Sequence, residues 1–126
     1  MKEKFIEVVK VSPQEKPEIV KIENTLTGLQ KAVSVEAPYV GLIEIIQPDN
    51  EDDWKICLLC NEEGKILNLT PNRRVGDDII CGTFYIVRVK DGKLISLTDT
   101  DVVKYSIEYW APESFTDDEI IDSWLF

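Results

Sequence analysis

The longest run of strand-favouring residues is Ile-Ile-Cys-Gly-Thr-Phe-Tyr-Ile-Val-Arg-Val, residues 79–89. A tight turn at residues 90–93 follows it, and residues 94–97 return as a further strand-like segment. Upstream, similar apolar or β-branched runs occur at residues 5–11, 18–22, 40–46 and 54–60. No connection is long enough for repeated parallel crossovers, so the sequence predicts a mostly antiparallel sheet.

Three helix starts flank these strands. Asn24-Thr25 offers an N-cap for a helix over residues 26–33, and Thr98 with Asp101 resembles a capping box for a helix that Pro112 ends. Thr116 with Glu119 forms a second capping box before a last helical segment. The sequence therefore predicts a single α+β domain, a sheet flanked by two or three short helices over residues 1–112, followed by an acidic amphipathic tail over residues 113–126.

Charge and hydropathy narrow the class of protein. The chain has 126 residues, 24 of them acidic and 14 basic, with a formal net charge of −10. This balance argues against direct nucleic-acid binding, which needs a basic face. No apolar run is long enough to cross a bilayer, so we expect a cytoplasmic protein without membrane contact. Residues 47–53 predict an acidic hairpin tip.

The side chains available for catalysis favour a binding protein over an enzyme. The chain has no histidine, which removes the commonest general base and metal ligand, and we expect no metal or cofactor. Cys57 and Cys60 lie three apart in a predicted strand, where their side chains point to opposite faces. Together with Cys81, they are expected to be free, buried thiols.

One candidate ligand site centres on Asn72, Arg73 and Arg74, in a predicted loop that begins at Pro71. A guanidinium offers a planar fork of donors that matches phosphate or carboxylate, and an asparagine beside it can complete an anion site. The structural alternative is that these arginines pair with nearby acids and hold two loops together. The candidate acids are Glu62, Glu63, Asp77 and Asp78.

The same region carries a family resemblance. Residues 60–65 read Cys-Asn-Glu-Glu-Gly-Lys, residues 71–73 read Pro-Asn-Arg, and residues 82–84 read Gly-Thr-Phe. Over roughly residues 17 to 105 the chain resembles domain-of-unknown-function family 3846, small proteins of phages, prophages and plasmids in Gram-positive bacteria. The resemblance favours a functional role for Asn72 and Arg73. Antiparallel folding would place Asn61 or Lys65 near the same loop, and Phe84 or Tyr85 would serve as an aromatic platform. Gly64 is expected to take a positive φ in the turn.

Two functions from different classes fit these features. In the first, the protein sequesters a small anionic, nucleotide-like ligand, which in a phage setting would serve counter-defence. In the second, it inhibits a basic host nucleic-acid-binding protein by charge mimicry. The partner-binding residues would then be Asp117, Asp118, Glu119, Trp124 and Phe126. The tail can alternatively fold back on its own sheet, or exchange between two chains to build a homodimer.

Overall fold

Six of the eight strands form one antiparallel sheet in this computed structural model, which describes residues 4–47 and 55–124. The strands are β1 (Phe5–Val11), β2 (Glu18–Glu23), β3 (Ile43–Ile46), β4 (Ile56–Asn61), β5 (Pro71–Val75), β6 (Asp78–Cys81), β7 (Phe84–Lys90) and β8 (Lys93–Ile95). The helices are α1 (Leu26–Ala32), α2 (Asp99–Glu108) and α3 (Asp117–Trp124). The predicted α+β fold, with a mostly antiparallel sheet and short helices, is confirmed.

The main sheet has the strand order β2-β1-β7-β4-β3, and β8 also pairs with β7. β1 pairs with the first half of β7, where Val11 lies opposite Phe84, and β8 pairs with the second half, where Arg88 lies opposite Ile95. Strands β5 and β6 form a separate hairpin. The three consecutive segments that carry the family resemblance therefore lie where the hairpin joins the sheet.

Alternation of side chains along the strands builds one core on each face of the sheet. One face buries Ile6, Val8, Cys57, Leu59, Tyr85 and Val87, with Leu29 and Ala32 of α1 packed against it. The other buries Val9, Val11, Leu58, Cys60, Phe84 and Ile86 against Tyr105 and Tyr109 of α2. Cys57 and Cys60 thus lie on opposite faces, as predicted, and all three cysteines are free and buried.

The predicted helix caps are also confirmed. The Thr25 side chain accepts a hydrogen bond from the Gly28 N–H at 3.0 Å. Thr98 and Asp101 form a reciprocal capping box at the start of α2. Thr116 and Glu119 do the same for α3, with the Glu119 N–H donating to Thr116 Oγ1 at 3.2 Å. These local signals fix where the helices begin.

Two predictions about the central stretch are wrong. Residues 79–89 are not one strand, because Gly82 has a φ of +90° and separates β6 from β7. Residues 71–75 are strand β5 and not a loop, because they pair with β6 across the turn at Gly76, whose φ is +59°. Residues 48–54, and so nearly all of the predicted acidic hairpin tip, lie outside the described residues, as does Phe126.

Candidate functional site

Arg73 is one of the largest fully buried side chains among the described residues, with an exposed fraction of 0%. Its Nε donates to the Tyr109 carbonyl at 3.2 Å, and its Nη2 donates to the Glu15 and Tyr109 carbonyls at 2.6 and 3.0 Å. Its Nη1 donates to Oδ1 and to the carbonyl of Asn72 at 2.8 and 3.3 Å. A guanidinium has five N–H donors, and these five bonds account for all of them.

Asn72 completes this buried polar cluster. Its side-chain amide nitrogen donates to the Val11 carbonyl at 2.8 Å and to the Gly82 carbonyl at 2.9 Å. Its Oδ1 accepts from Arg73, so each polar atom of the Asn72 side chain has a protein partner. The Asn72–Arg73 pair therefore ties the hairpin to β1, to the turn before β7 and to the end of α2.

The position of Arg73 explains how the protein tolerates a buried cation. Tyr109 is the C-cap of α2, and the last carbonyls of a helix carry the negative end of its dipole and lack partners within the helix. The guanidinium satisfies one of these carbonyls while burial lowers the pKa of Arg73, an effect that nearby Glu113 opposes. The cation thus serves as a clamp between segments distant in the chain.

This geometry argues against direct ligand contact by three of the residues predicted to bind a ligand. Asn72, Arg73 and Phe84 each have an exposed fraction of 0%. The Phe84 ring packs edge-on against Tyr109 at a centroid distance of 5.3 Å and offers no platform to a ligand. The arrangement favours a structural role, close to the alternative that the arginines hold segments together, although the partners of Arg73 are carbonyls and not acids.

Arg74 points the other way and is exposed. Its guanidinium pairs with Glu119 of α3 at 2.9 Å and lies over the Phe115 ring at 5.7 Å. Its backbone N–H donates to Glu113 Oε2 at 3.0 Å. Pairing with acids is what the structural alternative expected, but the acids come from the tail and not from residues 62–63 or 77–78. Arg74 therefore fastens the tail to the hairpin.

Asn61 and Lys65 line a small cavity of about 150 Å³ on the other side of the hairpin. Asn61 Oδ1 accepts from the Glu63 N–H at 2.8 Å, while its Nδ2 is buried without a partner in the described residues. Lys65 pairs with Asp78 and donates to the Ser123 carbonyl of α3 at 3.2 Å. Asn61 and Lys65 therefore lie at the same cavity, whereas Arg73 does not line it.

The charge around this cavity does not suit an anion. Glu44, Glu62 and Asp78 line it with Lys65. Partial burial, followed by the nearby carboxylates of Asp78 and Glu62, raises the pKa of Glu44, which is the response expected where negative charge already accumulates. Within residues 4–47 and 55–124, no group of three or more histidine, cysteine or acidic side chains could hold a metal ion.

Gly64 lines the same cavity. A glycine is needed here because there is no space for a side chain, and not because the backbone has a positive φ. The expected positive φ is wrong, because among the described glycines only Gly76, Gly82 and Gly92 have one. A Cβ at residue 64 would lie 2.5 Å from the Cys81 carbonyl oxygen, well inside van der Waals contact. A glycine here lets the turn approach β6.

The second predicted site is the tail, which forms α3 against the hairpin. Ser123 is buried and Glu119 and Ile120 are half-buried, whereas Asp117, Asp118 and Asp122 are exposed. Trp124 is 54% exposed and Ile121 is 57% exposed, so apolar groups stand among the carboxylates. We call Asp117, Asp118, Ile121, Asp122 and Trp124 the acidic face of α3. Ile121 and Asp122 were not predicted, although Ile121 lies four residues after Asp117 and three before Trp124, the spacing of one helix face.

The segments that carry the sequence resemblance all lie at the junction just described. The family model described as Domain of unknown function (DUF3846) matches residues 6–109. The chain belongs to this family. The DUF3846 match ends at Tyr109, the C-cap whose carbonyl Arg73 binds, so the acidic face of α3 lies beyond it.

No curated protein and no solved structure matched the chain in the other two comparisons. Within the described parts of the DUF3846 chain, no helix is both long enough and apolar enough to cross a membrane. The division at residue 112 and the homodimer remain predictions.

Proposed function

We propose that this protein is a non-catalytic binding module whose acidic face of α3 engages a basic protein. The observation that carries the proposal is the set of exposed carboxylates around Ile121 and Trp124. Residues 105–126 contain six acidic and no basic residues, so the tail itself supplies no cation to neutralise them. Such a surface complements a basic patch that also carries apolar groups.

Among the described residues, internal ion pairs do not neutralise three of these six carboxylates. Arg74 pairs with Glu119. In the described part of the chain, Asp117, Asp118 and Asp122 form no salt bridge. Exposed carboxylates without a local cation attract a basic surface over about 8–10 Å at physiological salt. The negative face would thus steer a partner, and Trp124 would supply apolar contact area.

A partner of this kind would use the same basic surface to bind nucleic acid when the protein is absent. By occupying that surface with carboxylates, the protein would inhibit the partner through charge mimicry. The phage and plasmid setting that the sequence resemblance implies would make such inhibition a form of counter-defence.

The test uses an octa-arginine peptide as the probe and isothermal titration calorimetry as the readout. We expect the Asp118→Asn/Asp122→Asn variant to bind it roughly threefold to tenfold more weakly than the wild type, because each exposed charge pair is worth up to about 1 kcal/mol. The matched control is Glu18→Gln/Asp91→Asn, which removes the same charge from β2 and from the turn after β7. Equal losses in both variants would show that only net charge matters and would refute the proposal.

A second candidate function, capture of a small anionic ligand, is favoured by a different surface. An open groove of about 380 Å³ between α1 and the β1–β2 strands is lined by Lys10, Lys21 and Lys31. These lysines form no salt bridge in the described part of the chain, although Glu23 also lines the groove. Titration with ATP should perturb amide resonances at this groove, and Lys10→Ala/Lys31→Ala should abolish the effect. An unperturbed groove at millimolar ATP would exclude this candidate.

A further inference from the structure

A cleft of about 260 Å³ lies beneath α3, between the helix and the segment that leads into the β5–β6 hairpin. Leu69, Pro71 and Ile120 give it apolar walls, and Asp117 and Trp124 stand along its helical side. Two polar contacts fasten the helix beside this cleft. These contacts are the Arg74–Glu119 ion pair and the Lys65 bond to the Ser123 carbonyl.

The charges in the cleft leave one carboxylate unneutralised. Lys65 lines it, but its ammonium group is paired with Asp78. Asp117 is exposed and forms no salt bridge in residues 4–47 and 55–124. An aromatic ring, a free carboxylate and apolar walls together match one kind of side chain: a long aliphatic stem that ends in a cation.

We propose that this cleft receives an arginine side chain of the basic partner, so that the inference rests on the proposed function. The arginine stem would lie against Ile120 and Leu69, with the guanidinium between the Trp124 ring and the Asp117 carboxylate. Arginine suits this arrangement better than lysine because its planar, weakly hydrated guanidinium stacks on an aromatic face and forms two parallel bonds to a carboxylate. The rest of the acidic face would hold neighbouring basic residues by longer-range attraction.

The probe is the peptide acetyl-Gly-Arg-Gly-amide, compared with its analogue in which uncharged citrulline replaces arginine. Titration is followed by the Trp124 indole N–H and the Asp117 amide resonance. We expect saturable shifts at both with the arginine peptide, and binding roughly fivefold weaker with citrulline, because the cation–π and ion-pair contributions are lost. Equal binding of the two peptides would overturn the proposal.

Three variants locate the binding. Asp117→Asn should weaken arginine-peptide binding about fivefold, whereas Asp118→Asn, a neighbour that does not line the cleft, should change it less than about twofold. Thr70→Phe places a ring in the cleft from an exposed position and should block the peptide without changing surface charge. If Thr70→Phe disturbs folding, the comparison of Asp117→Asn with Asp118→Asn still tests whether the peptide binds in the cleft.

The outcomes separate this inference from the proposed function. Octa-arginine binding that depends on Asp118 and Asp122 but is unchanged by Asp117→Asn and Thr70→Phe would reject the cleft and retain the acidic face. The opposite outcome is octa-arginine binding that is unchanged in the Asp118→Asn/Asp122→Asn variant while the arginine tripeptide still binds in the cleft. It would reject the proposed function and retain the cleft as a guanidinium site.

Discussion

Replacing Arg73 with methionine tests whether the Pro-Asn-Arg segment is a structural clamp. Methionine matches the unbranched stem of arginine, but it lacks the guanidinium head and so removes all five hydrogen-bond donors. The carbonyls of Glu15, Asn72 and Tyr109 then lose their guanidinium partner, as does Asn72 Oδ1. Because the Asn72 and Tyr109 acceptors are buried with Arg73, we expect a destabilisation set by unpaired polar groups and not by lost charge.

The magnitude follows from the bond count. Three of the five bonds are 3.0 Å or shorter, those to the Glu15 carbonyl, Asn72 Oδ1 and the Tyr109 carbonyl. A buried acceptor that loses its partner costs about 1–3 kcal/mol, and both the Asn72 and the Tyr109 acceptors are buried. We therefore expect Arg73→Met to lower the free energy of unfolding by about 3–5 kcal/mol. Arg73→Lys should fall between this variant and the wild type, since an ammonium group has three donors.

The assay is urea unfolding monitored by circular dichroism, with Arg74→Met as the matched control. The side chain of Arg74 is 43% exposed and that of its partner Glu119 is 44% exposed, so their ion pair contributes at most about 1 kcal/mol. Equal destabilisation by Arg73→Met and Arg74→Met would refute the clamp. It would also restore Arg73 as a residue free to act on a ligand.

Three further predictions concern other buried contacts. Asp101→Asn should lower stability by about 1–3 kcal/mol at pH 7, because the carboxylate receives two bonds from Arg88 at 2.6 and 2.8 Å. This pairing lowers the pKa of Asp101, so its stabilisation is present above the ordinary value of 3.8 and is lost as pH falls through the lowered one. Gly64→Ala should cost about 1–3 kcal/mol in urea unfolding, because its Cβ would meet the Cys81 carbonyl. Burial raises the pKa of Cys60 to about 12, so iodoacetamide at pH 8 should label it only after unfolding.

Controls for these variants come from exposed turns. Asp91→Asn should leave stability at pH 7 unchanged, and Gly92→Asn should cost little, because asparagine tolerates the positive φ of +74° at that residue. A difference between Asp101→Asn and wild type that persists undiminished at pH 2 would contradict the ion-pair explanation. Rapid labelling of Cys60 in the native protein would contradict its burial.

The sequence predicted the local features well because their causes are local. Thr25, Thr98 and Thr116 were recognised as caps since a cap is formed within three or four residues of the chain. Likewise, the period of two in a strand was enough to place Cys57 and Cys60 on opposite faces. The acidic, cation-free tail was also visible in the sequence.

The candidate site was harder to predict because its partners are distant in the chain. Arg73 donates to carbonyls of residues 58 positions before it and 36 positions after it, and a backbone carbonyl leaves no signature in a sequence. Arginine side chains are rarely buried, so we expected Arg73 to be exposed and available to a ligand. The strand β5 was missed for the same reason, since a segment of proline, asparagine and arginine becomes a strand only through its pairing with β6.

The sequence by itself determined the antiparallel class, the helix starts and the negative charge of the tail, because each depends on spacing or composition within a short segment. Tertiary structure alone decided which arginine is buried and which is exposed. Arg73 and Arg74 are adjacent, and alternation along β5 sends one into the carbonyls of Glu15 and Tyr109 and the other to Glu119 on α3. The direction of each side chain depends on the register of the hairpin and on its packing against the sheet, neither of which is encoded within the two residues themselves.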